Sequence, residues 1–134
     1  MPKKKPTYEG LQINIRKLKT PKIEVWRNQY ADKDYIVNLE NPEFTCVCPK
    51  TGLPDFANIT LQYKPAQWCV ELKSFKMHMF FYRDIGIFHE HVINKILGDF
   101  VKSCKPRWAF IKGEFNVRGG IKTTVSAEYQ GSSL

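Results

Sequence analysis

No apolar run in this 134-residue chain reaches the length of a membrane span, and the basic start MPKKKP is followed by no apolar stretch of leader type. Neither a span nor a secretory signal is expected, so the cytoplasm is the default address. Cysteine is scarce. Four residues, Cys46, Cys48, Cys69 and Cys104, are too few for a disulfide scaffold. In a reducing compartment they are free, metal-bound or catalytic. The histidines are fewer still, and none of His78, His89 and His91 pairs with a cysteine at zinc-knuckle spacing, so no metal site is expected. Internal repeats are missing, and no low-complexity tract follows the tail, which excludes solenoids and fibrous arrays.

What remains is an ordinary globular composition, 43% hydrophobic and 25% charged, at a length suited to one domain with a real core. The net charge is +8. Lys3, Lys4 and Lys5 lie in a Pro-flanked tail expected to be disordered, and without them 8 − 3 leaves +5. An excess of that size favours an anionic partner: a phosphate-bearing cofactor, RNA or an acidic protein.

Hydrophobic periodicity orders the rest. Residues 1–34 read as the basic tail and a peripheral extension with one or two short elements, and residues 35–134 as a single domain. Ile36 to Glu40 and Phe44 to Cys48 form one strand interrupted at Asn41-Pro42, and FANITLQYKP (Phe56 to Pro65) alternates as a second. The turn-forming PKTGLPD between them implies a hairpin with a long loop. ELKSFKMHMFFYRD then places Leu72, Phe75, Met79 and Tyr82 at helical spacing. FHEHVINKILGDFVKSC does the same for Phe88, Val92, Ile96, Leu97, Phe100 and Val101. WAFIKGEFNV and IKTTVSAEYQ return to strands, joined at Arg118-Gly119-Gly120, where glycines supply positive φ. The order ββααββ implies an α+β fold, a four-stranded antiparallel sheet with both helices on one face. Its two open edges need partners, so a homo-oligomer with sheets joined edge to edge is expected.

Three clusters carry chemistry. In CVCPKTGLPDF, the two-residue spacing puts Cys46 and Cys48 on one strand face. Cys46, Cys69 and Cys104 read as small buried hydrophobes. Cys48 ends a strand and opens a loop, where amides, a lysine and Asp55 can tune a thiol and move protons. Asp55 by itself, following Pro54, is more often a turn residue. In ELKSFK, Lys73 and Lys76 share a helix face, either a solvated one or a polyphosphate strip that Arg118 joins from its turn. In FHEH, Glu90 is either an N-terminal helix acid or an acceptor for the N–H edge of a guanine-like ring that Phe88 covers.

CPKTGLPDF, ELKSFK, FHE and RGG, in this order, resemble the nitrile reductases of queuosine biosynthesis, in their short, single-module type. The resemblance runs from about Asn41 to Tyr129. It implies the tunnelling fold, whose oligomers close sheets into barrels, here as pentameric rings that stack in pairs. It also implies an oxidoreductase that uses NADPH to reduce 7-cyano-7-deazaguanine to its 7-aminomethyl form. Carried over by residue, Cys48 forms a covalent thioimide, and Asp55 transfers protons with help from His89. Glu71, Phe88 and Glu90 contact the substrate, and Lys73, Lys76 and Arg118 contact the cofactor. The family generally shows leucine or tyrosine and then an aromatic after ELKSFK; Met77 and His78 stand there in this chain, which implies an altered cofactor contact. Two other readings stay open. One is archaeosine-forming chemistry on the same fold, whose enzymes lack the lysine strip. The other is a non-catalytic RNA-binding protein, with aromatics that stack bases.

Overall fold

The structure is a computed structural model describing residues 10–133; the basic tail expected to be disordered lies outside the described residues. Six strands and two helices follow one another as β1 (Val25–Arg27), β2 (Val37–Val47), β3 (Pro54–Lys64), β4 (Trp68–Val70), α1 (Leu72–Phe81), α2 (His89–Cys104), β5 (Trp108–Phe115) and β6 (Thr124–Gln130). The four long strands form one antiparallel sheet in the order β2-β3-β5-β6. Its core-facing residues, among them Phe44, Ile59, Tyr63, Ile111 and Phe115, share one buried cluster with Phe75 and Met79 of α1 and Ile96 and Phe100 of α2. Both helices therefore cover the same face, as the alternation implied. No helix among the described residues is long and apolar enough to cross a membrane.

The interrupted first strand proves continuous. Pairing runs from Val37↔Tyr63 to Asn41↔Ile59 and resumes at Phe44↔Ala57, so β2 carries one extra residue as a bulge. Pro42, which has no N–H to give a ladder, sits there on an outer strand. Two expectations fail at strand level. β4 was not anticipated, because three residues are too few to show a period; it pairs with β1 in a separate two-stranded sheet. The last strand starts at Thr124 and not at Ile121, since Ile121 is used by the Arg118↔Ile121 bridge that closes the preceding turn. Gly119 and Gly120 take φ values of 57° and 78° in that turn, as their sequence required.

α1 also differs from its expected stripe. Leu72 is 61% exposed, whereas His78 is fully buried beside Phe75, Met79 and Tyr82. His78 donates from Nδ1 to the Pro21 carbonyl at 2.8 Å, and its ring meets Tyr82 edge-on. An altered cofactor contact at His78 is thus excluded by position, for the ring is packed under the extension. Burial holds its pKa below the ordinary histidine range, which favours the neutral ring. The extension itself is joined to the body by buried Ile23 and by a Glu24 N–H donated to the Ser74 hydroxyl at 2.8 Å.

Candidate active site

The β2–β3 hairpin builds the first half of the site. β2 stops at Val47, where the chain segment 85–87 takes over its edge through Val47 N–H to Ile85 O and Ile87 N–H to Val47 O. This corrects the expected shared face of the two cysteines. Cys46 is still inside the strand and fully buried, while Cys48 lies one residue beyond its end and is half-buried in the loop. The loop closes tightly, with Cys48 N–H donated to Leu53 O and Gly52 N–H to Cys48 O, each at 2.9 Å. Gly52 takes φ 74° to do so, which a β-carbon would strain.

Environment separates the two thiols. The Thr51 hydroxyl hydrogen bonds to the Cys48 sulfur, backbone N–H groups of Thr51 and Lys50 add to it, and together they hold that thiol below its ordinary pKa. Burial, with the charge of Asp55 adding to it, pushes Cys46 up to about 12. Of these two thiols, Cys48 is the one whose surroundings favour the thiolate.

Asp55 pairs with Cys46 across the hairpin, and in β3 it occupies the place of a core-facing residue, one before the alternation of Ala57, Ile59 and Leu61. That is why a carboxylate is only 4% exposed. It is compensated on both oxygens. Oδ2 stands 3.1 Å from His89 Nε2, and Oδ1 accepts from Arg118 Nη1. His89, in the first turn of α2, is held flat on Phe115 with ring centroids 3.7 Å apart and planes 9° apart. An aspartate fixed by a guanidinium and bonded to an imidazole with one open side can pass a proton outward.

These groups line an open cleft of about 980 Å³, walled also by Phe88, Glu90, His91 and Gln12. Of the nine residues expected at the site, six meet here: Cys48, Asp55, Phe88, His89, Glu90 and Arg118. The family model described as "QueF-like protein" matches residues 54–133. The chain belongs to the QueF-like protein family. Among its relatives are proteins named NADPH-dependent 7-cyano-7-deazaguanine reductase from Elusimicrobium minutum, 53% identical over 84% of this chain and 84% of the relative. Others are those of Nitrosococcus oceani, 55% identical over 81% and 84%, and Chloroherpeton thalassium, 54% identical over 84% and 97%. A crystal structure of an apo archaeosine synthase QueF-Like superposes with a TM-score of 0.67, covering 73% of this chain and 96% of that one. At 22% identity that likeness establishes the tunnelling fold and nothing about chemistry.

Three expected site residues of this QueF-like protein stand apart from the cleft. Glu71 caps α1, accepting from Lys73 N–H at 3.0 Å and Ser74 N–H at 2.6 Å. Those bonds, that from Ser74 first, hold its carboxyl below the ordinary range. Lys73 and Lys76 are exposed on the outer side of α1, and Lys76 borders a separate hollow of about 340 Å³ between α1 and the β2–β3 strands. Arg118 bonds Asp55 directly, yet 40% of its side chain stays open to solvent. Sequence reasoning missed Thr51, Phe115 and Gln12. Thr51 had a legible signal, a hydroxyl three residues after a cysteine in a turn; the other two reach the site only through tertiary contacts.

Proposed function

We propose that this QueF-like protein reduces the nitrile of 7-cyano-7-deazaguanine to an aminomethyl group with NADPH, through a thioimide on Cys48. The observation that carries the assignment is the separation of the two neighbouring thiols, Cys48 held low by hydrogen bonds and Cys46 raised by burial. The Cys48 thiolate adds to the electrophilic nitrile carbon; a C–S bond forms, one C–N π pair moves to nitrogen, and that nitrogen takes a proton. Asp55 and His89 deliver it, since His89 is both bonded to Asp55 and part of the cleft wall. When bound, NADPH supplies hydride, once from each of two molecules, which with two protons balances the four-electron change from nitrile to amine. Release of the Cys48 sulfur is eased by the same hydrogen bonds that favour its thiolate. Glu90 accepts the ring N–H and amino hydrogens, and Phe88 packs on the ring.

The residues present suit the cofactor. Lys73 and Lys76 form no ion pair among the described residues, so both ammonium groups are open to phosphate. The partly open guanidinium of Arg118 is a third cation, at the cleft itself. A homo-oligomer joined along the outer strands β2 and β6, as pentameric rings stacked in pairs, would bring α1 of one chain toward the cleft of another. That arrangement reconciles the two separated halves of the site, Glu71 included.

The test is intact mass after mixing with 7-cyano-7-deazaguanine, then with NADPH. A gain equal to the whole nitrile is expected, absent in Cys48→Ala, retained in Cys46→Ala and discharged by NADPH. An adduct discharged by ammonia and not by NADPH would replace the reductase with archaeosine-type chemistry. No adduct on reduced, folded protein would end the covalent reading.

A further inference from the structure

Gln12 lies outside the residues that the family model matches, yet its side chain helps to wall the cleft. It holds the segment that delivers Phe88, His89 and Glu90. Its Nε2 donates to the Gly86 carbonyl at 3.2 Å, and its Oε1 accepts from the Phe88 N–H at 3.2 Å and from His91 Nδ1 at 2.9 Å. α2 has no side-chain cap from its own N-cap residue, Phe88, so this contact from 76 residues away anchors the chain where the helix begins.

The amide orientation is forced. The Gly86 carbonyl can only accept and the Phe88 N–H can only donate, so nitrogen and oxygen cannot be exchanged. Oε1 therefore faces His91, and an amide oxygen only accepts. Neutral His91 must then carry its proton on Nδ1, which leaves Nε2 as the acceptor of the ring.

We propose that Gln12 is a positioning residue of this active site: it pins residues 86–91 and sets the tautomer of His91, so that this part of the cleft wall presents a hydrogen-bond acceptor. Such a wall, beside the Glu90 carboxylate, suits a ligand edge rich in N–H donors and rejects one rich in acceptors. The expected effect on turnover rests on the function proposed above; the tautomer does not.

The experiment records ring ¹⁵N shifts of labelled full-length protein above about pH 8, where an ordinary imidazole is neutral. Wild-type His91 is expected to be protonated at Nδ1. Gln12→Leu, which fills similar space without hydrogen bonds, is expected to release the proton to Nε2. The same variant should raise the KM for the nitrile base about tenfold, with the KM for NADPH within about twofold of wild type. Wild-type His91 protonated at Nε2 overturns the proposal whatever the kinetics. So does a Gln12→Leu protein with native melting and an unchanged tautomer. If Gln12→Leu fails to fold, the wild-type spectrum decides. If the wild type reduces no nitrile, the spectrum still decides the role of Gln12, and only the proposed reaction falls.

Discussion

Replacing Thr51 with valine keeps the shape of the side chain and removes the hydroxyl that does most to lower the Cys48 pKa, while the Lys50 and Thr51 N–H groups stay in place. A hydrogen bond to a charged group is worth about 1.5–3 kcal/mol; water replaces part of it at a half-exposed sulfur, leaving about 1 kcal/mol. That amounts to about a fivefold smaller thiolate fraction at neutral pH. The remaining thiolate is more basic and hence more nucleophilic, and a Brønsted coefficient of about 0.45 returns about twofold. Alkylation by iodoacetamide should therefore be about two- to threefold slower at about pH 7, and about twofold faster above about pH 10, where both proteins are ionised. The two rate profiles must cross. Cys46, Cys69 and Cys104 are 0%, 5% and 0% exposed, so the reagent reads Cys48, with Cys48→Ala as the blank. The Thr51 hydroxyl also accepts the Leu53 N–H at 3.2 Å, so Thr51→Ser, which keeps both bonds, is the control for loop geometry. Superimposed profiles for the valine variant and wild type, or a faster valine variant at neutral pH, would refute the assignment of Thr51 as the group that activates the thiol.

Asp55→Asn should separate activation from proton transfer. The Asp55 charge opposes the Cys48 thiolate, so its removal should leave alkylation as fast or faster, while turnover falls about 100-fold or more; a matched loss of both would place Asp55 in thiol activation. Changing Lys73 and Lys76 together to alanine should raise the KM for NADPH about tenfold or more and leave the melting temperature and the KM for the nitrile base unchanged. If melting alone responds, the strip is a solvated face. Alkaline stability tests the buried thiols. Burial raises Cys46 and Cys104 from an ordinary 9.0 to about 12, so an unfolded chain loses these protons first. Their contribution is complete below about pH 9 and is lost between about pH 9 and 12, by up to about 1.4 kcal/mol per pH unit for each thiol. Buried Tyr63 and Tyr82, raised by the same cause, act in the same direction. Urea melts at pH 8 and about 10.5 should show the fall, and Cys104→Ala should lessen it; equal stability at both pH values would contradict the burial argument.

Local signals carried much of the fold. Apolar alternation marked β3 and β5, and helical spacing marked α2, because each buries a single regular face of the sheet or helix. The same rule misled at Leu72 and His78. Spacing says which residues share a face, and it does not say that Pro21 would cover His78 and leave Leu72 in solvent. β4 was illegible because its pairing with β1 joins residues far apart in the chain, such as Trp26 and Cys69.

The site divides the same way. The reactive types and their order along the chain, Cys48 and Asp55 on one hairpin, Phe88, His89 and Glu90 at a helix start, and Arg118 at a glycine turn, were determined by the sequence itself, since each is fixed by its neighbours within a few residues. What holds Asp55 and which residues share a cleft were decided by tertiary structure alone, whereas Cys48 is tuned by Lys50 and Thr51 from its own loop. Charge, burial and hydrogen bonding act through space over a few ångströms, and the groups that supply them here, Phe115 behind His89 and Gln12 beneath His91, come from distant parts of the chain.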